Sequence, residues 1–208
     1  MRVATLYTIP IRVHWSFGAV FLAWLLWAIP QPAQLWGHLV LAGVLFVSVL
    51  LHELGHAFAA RTFGITTQEV VLFPLGGMTI METATVRPFA ELMIAAGGPL
   101  VNLVLALTLG IVAWVTQAQM VWLAAALNIA LGVLNLIPAY PMDGGRVLRA
   151  VLAEAFGAAR AQRWSLLTGR VFAGSLLVTG AVLQSPALAI LGAVLAFILW
   201  REVLRPRM

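Results

Sequence analysis

Long apolar runs constrain the fold of this chain more than any other feature of its sequence. About twenty consecutive apolar residues cross the hydrocarbon core of a bilayer as a helix. Of the 208 residues, 62% are hydrophobic and 9% are charged, which is too apolar for a soluble domain of this size. The sequence therefore predicts an all-α integral membrane protein, with a single transmembrane domain over residues 1–208. About six transmembrane helices are expected, at residues 14–30, 36–60, 89–116, 120–137, 164–183 and 186–204.

The twelve basic residues are all arginines, and they concentrate at alternate ends of the predicted helices. Two precede the first helix, two lie between helices two and three, four lie between helices four and five, and three close the chain; the exception is Arg170, inside predicted helix five. Cytoplasmic loops are enriched in Lys and Arg, so both termini are predicted to be cytoplasmic. The net charge of +5 thus indicates membrane topology and predicts no nucleic-acid partner. The chain contains no cysteine, so a metal site must use His, Asp or Glu.

Two connections contain more than a simple turn. Residues 66–83 are rich in β-branched residues, with Pro74 and a pair of glycines at their middle, which predicts a membrane-embedded β-hairpin between helices two and three. Residues 135–156 contain helix-ending prolines followed by Gly144 and Gly145, which predict a turn and then a short helix. Irregular backbone at membrane depth must be covered by protein or line a polar cavity. We therefore expect a water-reached cavity bounded by these two segments.

The sequence HELGH places His52, Glu53 and His56 inside predicted helix two. Ionisable residues in a membrane span are costly, and they usually serve a function. Positions four apart share one face of a helix, so both imidazoles can reach one zinc ion while Glu53 can reach the attacking water. The spacing predicts a hydrolytic site with one Zn²⁺ per chain.

A catalytic zinc ion needs a third protein ligand. Asp143 is the expected one, because it is the first acid after predicted helix four and lies at the cytoplasmic level. The alternatives are His14, Glu82 and Glu91, which are also near the cytoplasmic side and for which an interfacial role is favoured. His38 is rejected, because at 1.5 Å per residue it lies roughly 21 Å from the histidine pair along the same helix.

Several motifs occur together in this chain: IPIRVHWSF at 9–17, HELGH at 52–56, FPLGGM at 73–78, AAGGPLVN at 95–102 and LNLIPAYPMDGGRVLRA at 134–150. Together they resemble the site-2 protease family of intramembrane zinc metalloproteases, in its short bacterial and archaeal six-span form. The resemblance covers most of residues 9–156. Helices five and six, at about 164–204, resemble those of the family only in being apolar helices.

The resemblance implies a prokaryotic membrane enzyme that hydrolyses peptide bonds in or near the transmembrane segments of membrane-anchored protein substrates. The implied site residues are the zinc ligands His52, His56 and Asp143, the catalytic acid/base Glu53, and Asn135, Gly76 and Gly77 for the substrate or oxyanion. Unlike many relatives, the chain shows no PDZ or CBS domain, so the means of regulation, and any regulatory partner, are open.

A zinc transporter or a metal-binding structural membrane protein is the alternative function, since either would also place His and Asp ligands in the bilayer. The polar cluster lies near one side of the membrane, and no relay of polar residues leads to the other side. This distribution favours the protease.

Overall fold

The computed structural model describes residues 2–6, 9–28, 32–73, 76–82 and 86–204. Within these residues the chain forms seven helices: α1 (Trp15–Ala28), α2 (Pro32–Thr62), α3 (Pro88–Thr116), α4 (Gln119–Asn135), α5 (Asp143–Phe156), α6 (Ala158–Val182) and α7 (Pro186–Leu204). It also forms four strands: β1 (Arg2–Leu6), β2 (Ile9–Val13), β3 (Thr67–Phe73) and β4 (Gly76–Met81).

Each apolar run of the sequence coincides with a helix of the structure. Three helices are long and apolar enough to cross a membrane, Leu35–Thr62, Pro88–Thr116 and Ala158–Val182, and two apolar helices are shorter, Trp15–Trp24 and Gln119–Asn135. The chain is therefore a mostly helical, multi-pass membrane protein with at least three apolar spans.

The prediction of an all-α chain with one hairpin is wrong in its strand content. β3 and β4 pair antiparallel with Val70 opposite Thr79, which confirms the hairpin expected at residues 66–83, although Pro74 lies outside the described residues. β1 and β2 form a second antiparallel pair, and β2 joins β3 in parallel, so the sheet has the order β1-β2-β3-β4. Residues 2–13 were not predicted as strands because their backbone partner β3 lies far along the chain.

The chain divides into two compact units. Unit 1 comprises Met1–Thr85 and Gly97–Val133, which include the sheet, α1, α2, the later part of α3 and most of α4. Unit 2 comprises Val86–Ala96 and Leu134–Met208, which include the start of α3 together with α5, α6 and α7.

In unit 1 the sheet packs one face against α2. Val70 and Leu72 of β3 and Ile9 and Ile11 of β2 form one buried apolar cluster with Ala57 of α2. Alternate residues of a strand point to the same face, so these side chains lie together on the side that meets the helix. This packing brings the hairpin onto the helix that contains the HELGH sequence.

The prediction of a turn at Gly144 and Gly145 is wrong, because in unit 2 the short helix α5 already begins at Asp143. Both glycines lie in the first turn of α5 and are buried. The preceding loop packs so closely on them that a side chain would not fit: a Cβ at Gly145 would lie 2.6 Å from the carbonyl carbon of Ala139. Helices α6 and α7 approach closely at a glycine. A Cβ at Gly180 would lie 2.6 Å from the main-chain nitrogen of Ala189.

Candidate metal centre and active site

The three polar side chains of the HELGH sequence lie on the buried side of α2. His52, Glu53 and His56 are 6%, 5% and 3% exposed, whereas Phe58, on the following turn, is 41% exposed. A charged or polar group in hydrocarbon is costly, so enclosure by protein explains how an apolar spanning helix accommodates this cluster.

His52 and His56 direct their Nε2 atoms toward the same point. The two Nε2 atoms are 3.1 Å apart, and the rings are nearly perpendicular, at 86°. Zinc–nitrogen bonds of about 2.0–2.1 Å in a tetrahedral site place two ligand nitrogens roughly 3.3 Å apart. The observed separation therefore fits two ligands of one zinc ion.

Glycines of α2 and α3 provide the space around this histidine pair. A Cβ at Gly55 would lie 2.5 Å from the carbonyl oxygen of Gly97, so the two backbones are in direct contact there. A Cβ at Gly98 would lie 2.6 Å from Nε2 of His52, and the N–H of Gly98 lies 3.3 Å from Nδ1 of His56. Any other residue at position 98 would fill the space in front of the Nε2 atoms.

Glu53 is held by the hairpin strand β4. Thr79 Oγ1 lies 2.7 Å from Glu53 Oε2 and 3.1 Å from the Glu53 carbonyl oxygen. A Cβ at Gly77 would lie 2.5 Å from Glu53 Oε1, so the glycine allows the strand to cover the carboxylate. Gly76 has no such contact; its φ of 148° favours glycine, and the space around it is open. The role of Thr79 could not be predicted, because nothing in the sequence of the hairpin indicates which of its residues faces the helix.

Asp143 is the first residue of α5 and is buried, at 8% exposure. Its Oδ1 lies 3.7 Å from Nη1 of Arg146, one turn further along the same helix. Asn135, the other polar residue predicted in this segment, is the last residue of α4 and is partly buried.

Within the part of the chain that the structure describes, His52 and His56 are buried metal-ligating side chains of unit 1, and Asp143 is a buried carboxylate of unit 2. Two imidazoles and one carboxylate match the donor set of catalytic zinc sites, which use three protein ligands and leave a position for water or substrate. The residues therefore fit a zinc ion.

The other candidates for the third ligand have different partners. His14 Nδ1 lies 2.7 Å from Ser16 Oγ at the start of α1, which indicates a role at the helix terminus. Glu91 is buried and forms an ion pair with Arg149 of α5, within unit 2. Glu82 is exposed after β4. The partner of Glu91 could not be predicted, since the two residues are far apart in the sequence.

Comparison with known proteins decides the family. The sequence profile of peptidase family M50 matches residues 40–119 and 112–178. The chain belongs to peptidase family M50. Among solved structures, this M50 chain resembles the site-2 protease from Methanocaldococcus jannaschii, with a TM-score of 0.78, 31% sequence identity, and coverage of 100% of this chain and 97% of that one. The resemblance to site-2 proteases is therefore confirmed.

Curated proteins are also similar to this chain over most of its length. The M50 chain is 34% identical over 185 residues to a zinc metalloprotease of Methanocaldococcus jannaschii, over 86% of this chain and 53% of that protein. It is 31% identical over 150 residues to the stage IV sporulation protein FB of Bacillus subtilis, over 71% of this chain and 52% of that protein. The M50 chain thus spans about half the length of these relatives.

Proposed function

We propose that this M50 chain is an intramembrane zinc metalloprotease, which hydrolyses peptide bonds in or near the transmembrane segments of membrane-anchored proteins. The observation that carries the proposal is the buried cluster on α2, where two histidine Nε2 atoms stand 3.1 Å apart beside Glu53 on a helix apolar enough to span a bilayer. In the curated relative from Methanocaldococcus jannaschii, the name zinc metalloprotease agrees with this chemistry.

The proposed zinc ligands are His52, His56 and Asp143. When bound, zinc supplies a Lewis acid that polarises the scissile carbonyl and lowers the pKa of a water molecule. Glu53 takes a proton from the attacking water and delivers it to the leaving amine, the work of a general base and then a general acid. The Thr79 hydroxyl, 2.7 Å from the carboxylate, orients Glu53 for both transfers.

The substrate is proposed to bind as an extended segment beside the hairpin. β4 is an edge strand of the sheet, paired with β3 on one side, so its other edge can accept a strand by main-chain hydrogen bonding. A substrate helix hides its carbonyls in its own hydrogen bonds, so it must unwind before it can bind in this way. Gly76 and Gly77 carry no side chain that would keep a substrate strand away from the start of β4. Asn135 is proposed to hold the substrate carbonyl or the oxyanion.

The proposed location is a prokaryotic cell membrane, crossed by six helices with both termini in the cytoplasm. The distribution of arginines supports this topology, and the relatives named above come from an archaeon and a bacterium. The domain is proposed to act as one catalytic unit, with the lipid bilayer and a membrane-anchored substrate as its partners.

The Glu53→Gln variant tests the proposed function. The full chain is reconstituted in liposomes with a membrane-anchored reporter, and the cleavage rate and bound zinc are both measured. We expect cleavage to fall about a hundredfold or more, since general acid–base catalysis contributes about 10² to 10⁴ in rate, while zinc stays bound. Glu154→Gln is the matched control, because Glu154 is an exposed residue of α5, and this variant should keep its activity.

Two outcomes contradict the proposal. An unchanged cleavage rate in the Glu53→Gln variant would show that Glu53 is not the acid/base. If the unsubstituted chain carries zinc across the liposome membrane and cleaves no reporter, the transporter alternative is correct and the protease is not.

A further inference from the structure

A chain of buried hydrogen bonds leads from His52 across three helices of unit 1. His52 Nδ1 lies 2.5 Å from Asn102 Oδ1 of α3. Asn102 Nδ2 lies 3.0 Å from Asn128 Oδ1 of α4, and Asn128 Nδ2 lies 3.0 Å from Ser48 Oγ, one turn before His52 on α2. We call Asn102, Asn128 and Ser48 the asparagine chain. Both asparagines are completely buried.

A main-chain carbonyl sets the direction of every bond in the asparagine chain. Asn128 Nδ2 lies 3.0 Å from the carbonyl oxygen of Ala124, one turn earlier on α4. A carbonyl oxygen only accepts hydrogen bonds, so the amide nitrogen of Asn128 must face it, and Asn128 Oδ1 must face Asn102. Asn102 can approach that oxygen only with its own Nδ2. Its oxygen therefore faces His52.

The proton of His52 is fixed by this arrangement. Asn102 Oδ1 is an acceptor, so His52 Nδ1 must donate and must carry the proton. A neutral imidazole has one donor and one acceptor nitrogen, which places the ring's lone pair on Nε2. Nε2 is the nitrogen that lies 3.1 Å from Nε2 of His56.

We propose that Asn102 and Asn128 are positioning residues of the metal site, which fix both the tautomer and the ring orientation of His52 so that Nε2 is presented to the metal. The inference rests on the proposed zinc site. Metal-binding histidines commonly donate their other N–H to an acceptor, and loss of that acceptor typically weakens metal binding by about 10- to 100-fold. Asn102 is such an acceptor, Asn128 orients it, and Ala124 orients Asn128.

Association of apolar helices is the other role that such asparagines can have. That role requires hydrogen bonds between helices, but it does not require that His52 be protonated on one particular ring nitrogen. The tautomer of His52 and the zinc affinity therefore distinguish positioning from association.

The first test is the tautomer of His52 in the full chain, stripped of metal and held in detergent micelles. The chain contains four histidines, so ¹⁵N labelling of histidine gives a small set of ring signals, and His52→Ala identifies those of His52. We expect His52 to be protonated on Nδ1. A ring protonated on Nε2 in the unsubstituted chain overturns the inference directly and requires no variant to fold.

The second test compares zinc affinity, by competition with a chelator, between Asn102→Leu and Asn102→Asp. Leucine keeps the branched shape of asparagine but removes the acceptor, so we expect the zinc affinity to fall about 10- to 100-fold and Nδ1 protonation to be lost. Aspartate retains an oxygen toward Nδ1 but loses the donor to Asn128 Oδ1, so it should retain more of the affinity than leucine and less than asparagine. Thr108→Val, at an exposed residue of the same helix, is the matched control and should bind zinc normally.

The outcomes separate this inference from the proposed function. Equal zinc affinity and an unchanged tautomer in Asn102→Leu would overturn the positioning role while leaving the protease proposal intact. Failure of the unsubstituted chain to bind zinc would overturn both. Loss of zinc affinity in Asn102→Leu and Asn102→Asp alike, with His52 still protonated on Nδ1, would leave helix association as the role of Asn102.

Discussion

At the scale of single residues, the proposed acid/base Glu53 depends on a hydroxyl from another part of the chain. Thr79 lies on β4, and its Oγ1 is 2.7 Å from Oε2 of Glu53. A carboxylate that accepts such a hydrogen bond is held in one orientation while it exchanges protons. In the proposed mechanism the short hairpin therefore positions the acid/base as well as offering an edge to the substrate.

Substitution of Thr79 tests this contact. A hydrogen bond to a charged group contributes about 1.5 to 3 kcal/mol, which corresponds to roughly 10- to 100-fold in rate if it is needed in the transition state. We expect Thr79→Val to slow reporter cleavage by that factor, with bound zinc unchanged, and Thr79→Ser to retain most of the rate. Thr62→Val, at an exposed threonine of α2, is the control. Equal rates for the valine and serine variants at position 79 would show that the hydroxyl is dispensable.

At the scale of secondary structure, two helices approach unusually closely beside the histidine pair. Gly55 of α2 and Gly97 of α3 each leave room for the other's carbonyl oxygen, at 2.5 and 2.7 Å from the position of an added Cβ. Since lipid is as apolar as the side chains, membrane helices depend on such close packing to associate. Gly55 and Gly97 therefore let the two helices pack closely beside the proposed zinc site.

Gly55→Ala should therefore destabilise the protein. Its new Cβ would meet rigid backbone, and overpacking of this kind typically costs about 1 to 3 kcal/mol. We expect a lower free energy of unfolding in detergent and weaker zinc binding. Gly43→Ala is the matched control on the same helix, because no atom lies within 4 Å of its added Cβ. If both variants unfold alike, the close approach of α2 and α3 does not contribute to stability.

At the scale of the whole molecule, the distribution of arginines predicts which connections face the cytoplasm. The absence of cysteine from the chain makes single-cysteine labelling direct. Gln119 begins α4 in a connection without charge, and Ala158 begins α6 in a connection with several arginines, and both residues are exposed.

In intact spheroplasts, a membrane-impermeant maleimide should label Gln119→Cys at once and Ala158→Cys only after the membrane is permeabilised. The physical reason is the retention of positively charged loops in the cytoplasm. The cysteine-free chain is the control for background labelling. The opposite pattern would reverse the proposed orientation, and equal labelling of both positions would contradict an odd number of spans between them.

Much of the architecture follows from local sequence. An apolar run of about twenty residues can satisfy its backbone in lipid only as a helix, so the helices could be located without a structure. The pairing of His52 and His56 likewise follows from helix geometry, since residues four apart share a face. The hairpin could be predicted because its β-branched residues and central glycines are local signals.

Tertiary structure alone decided the features that join distant parts of the chain. The N-terminal strands form because β2 pairs with β3. Thr79 contacts Glu53 because the hairpin packs on α2, and Asn102 contacts His52 because α3 lies against α2. Each is a hydrogen bond between residues with no shared local pattern. The sequence by itself determined the membrane helices and the type of chemistry proposed for the HELGH residues. Only the fold decided which polar side chains orient them, because buried donors and acceptors must find partners wherever packing brings them together.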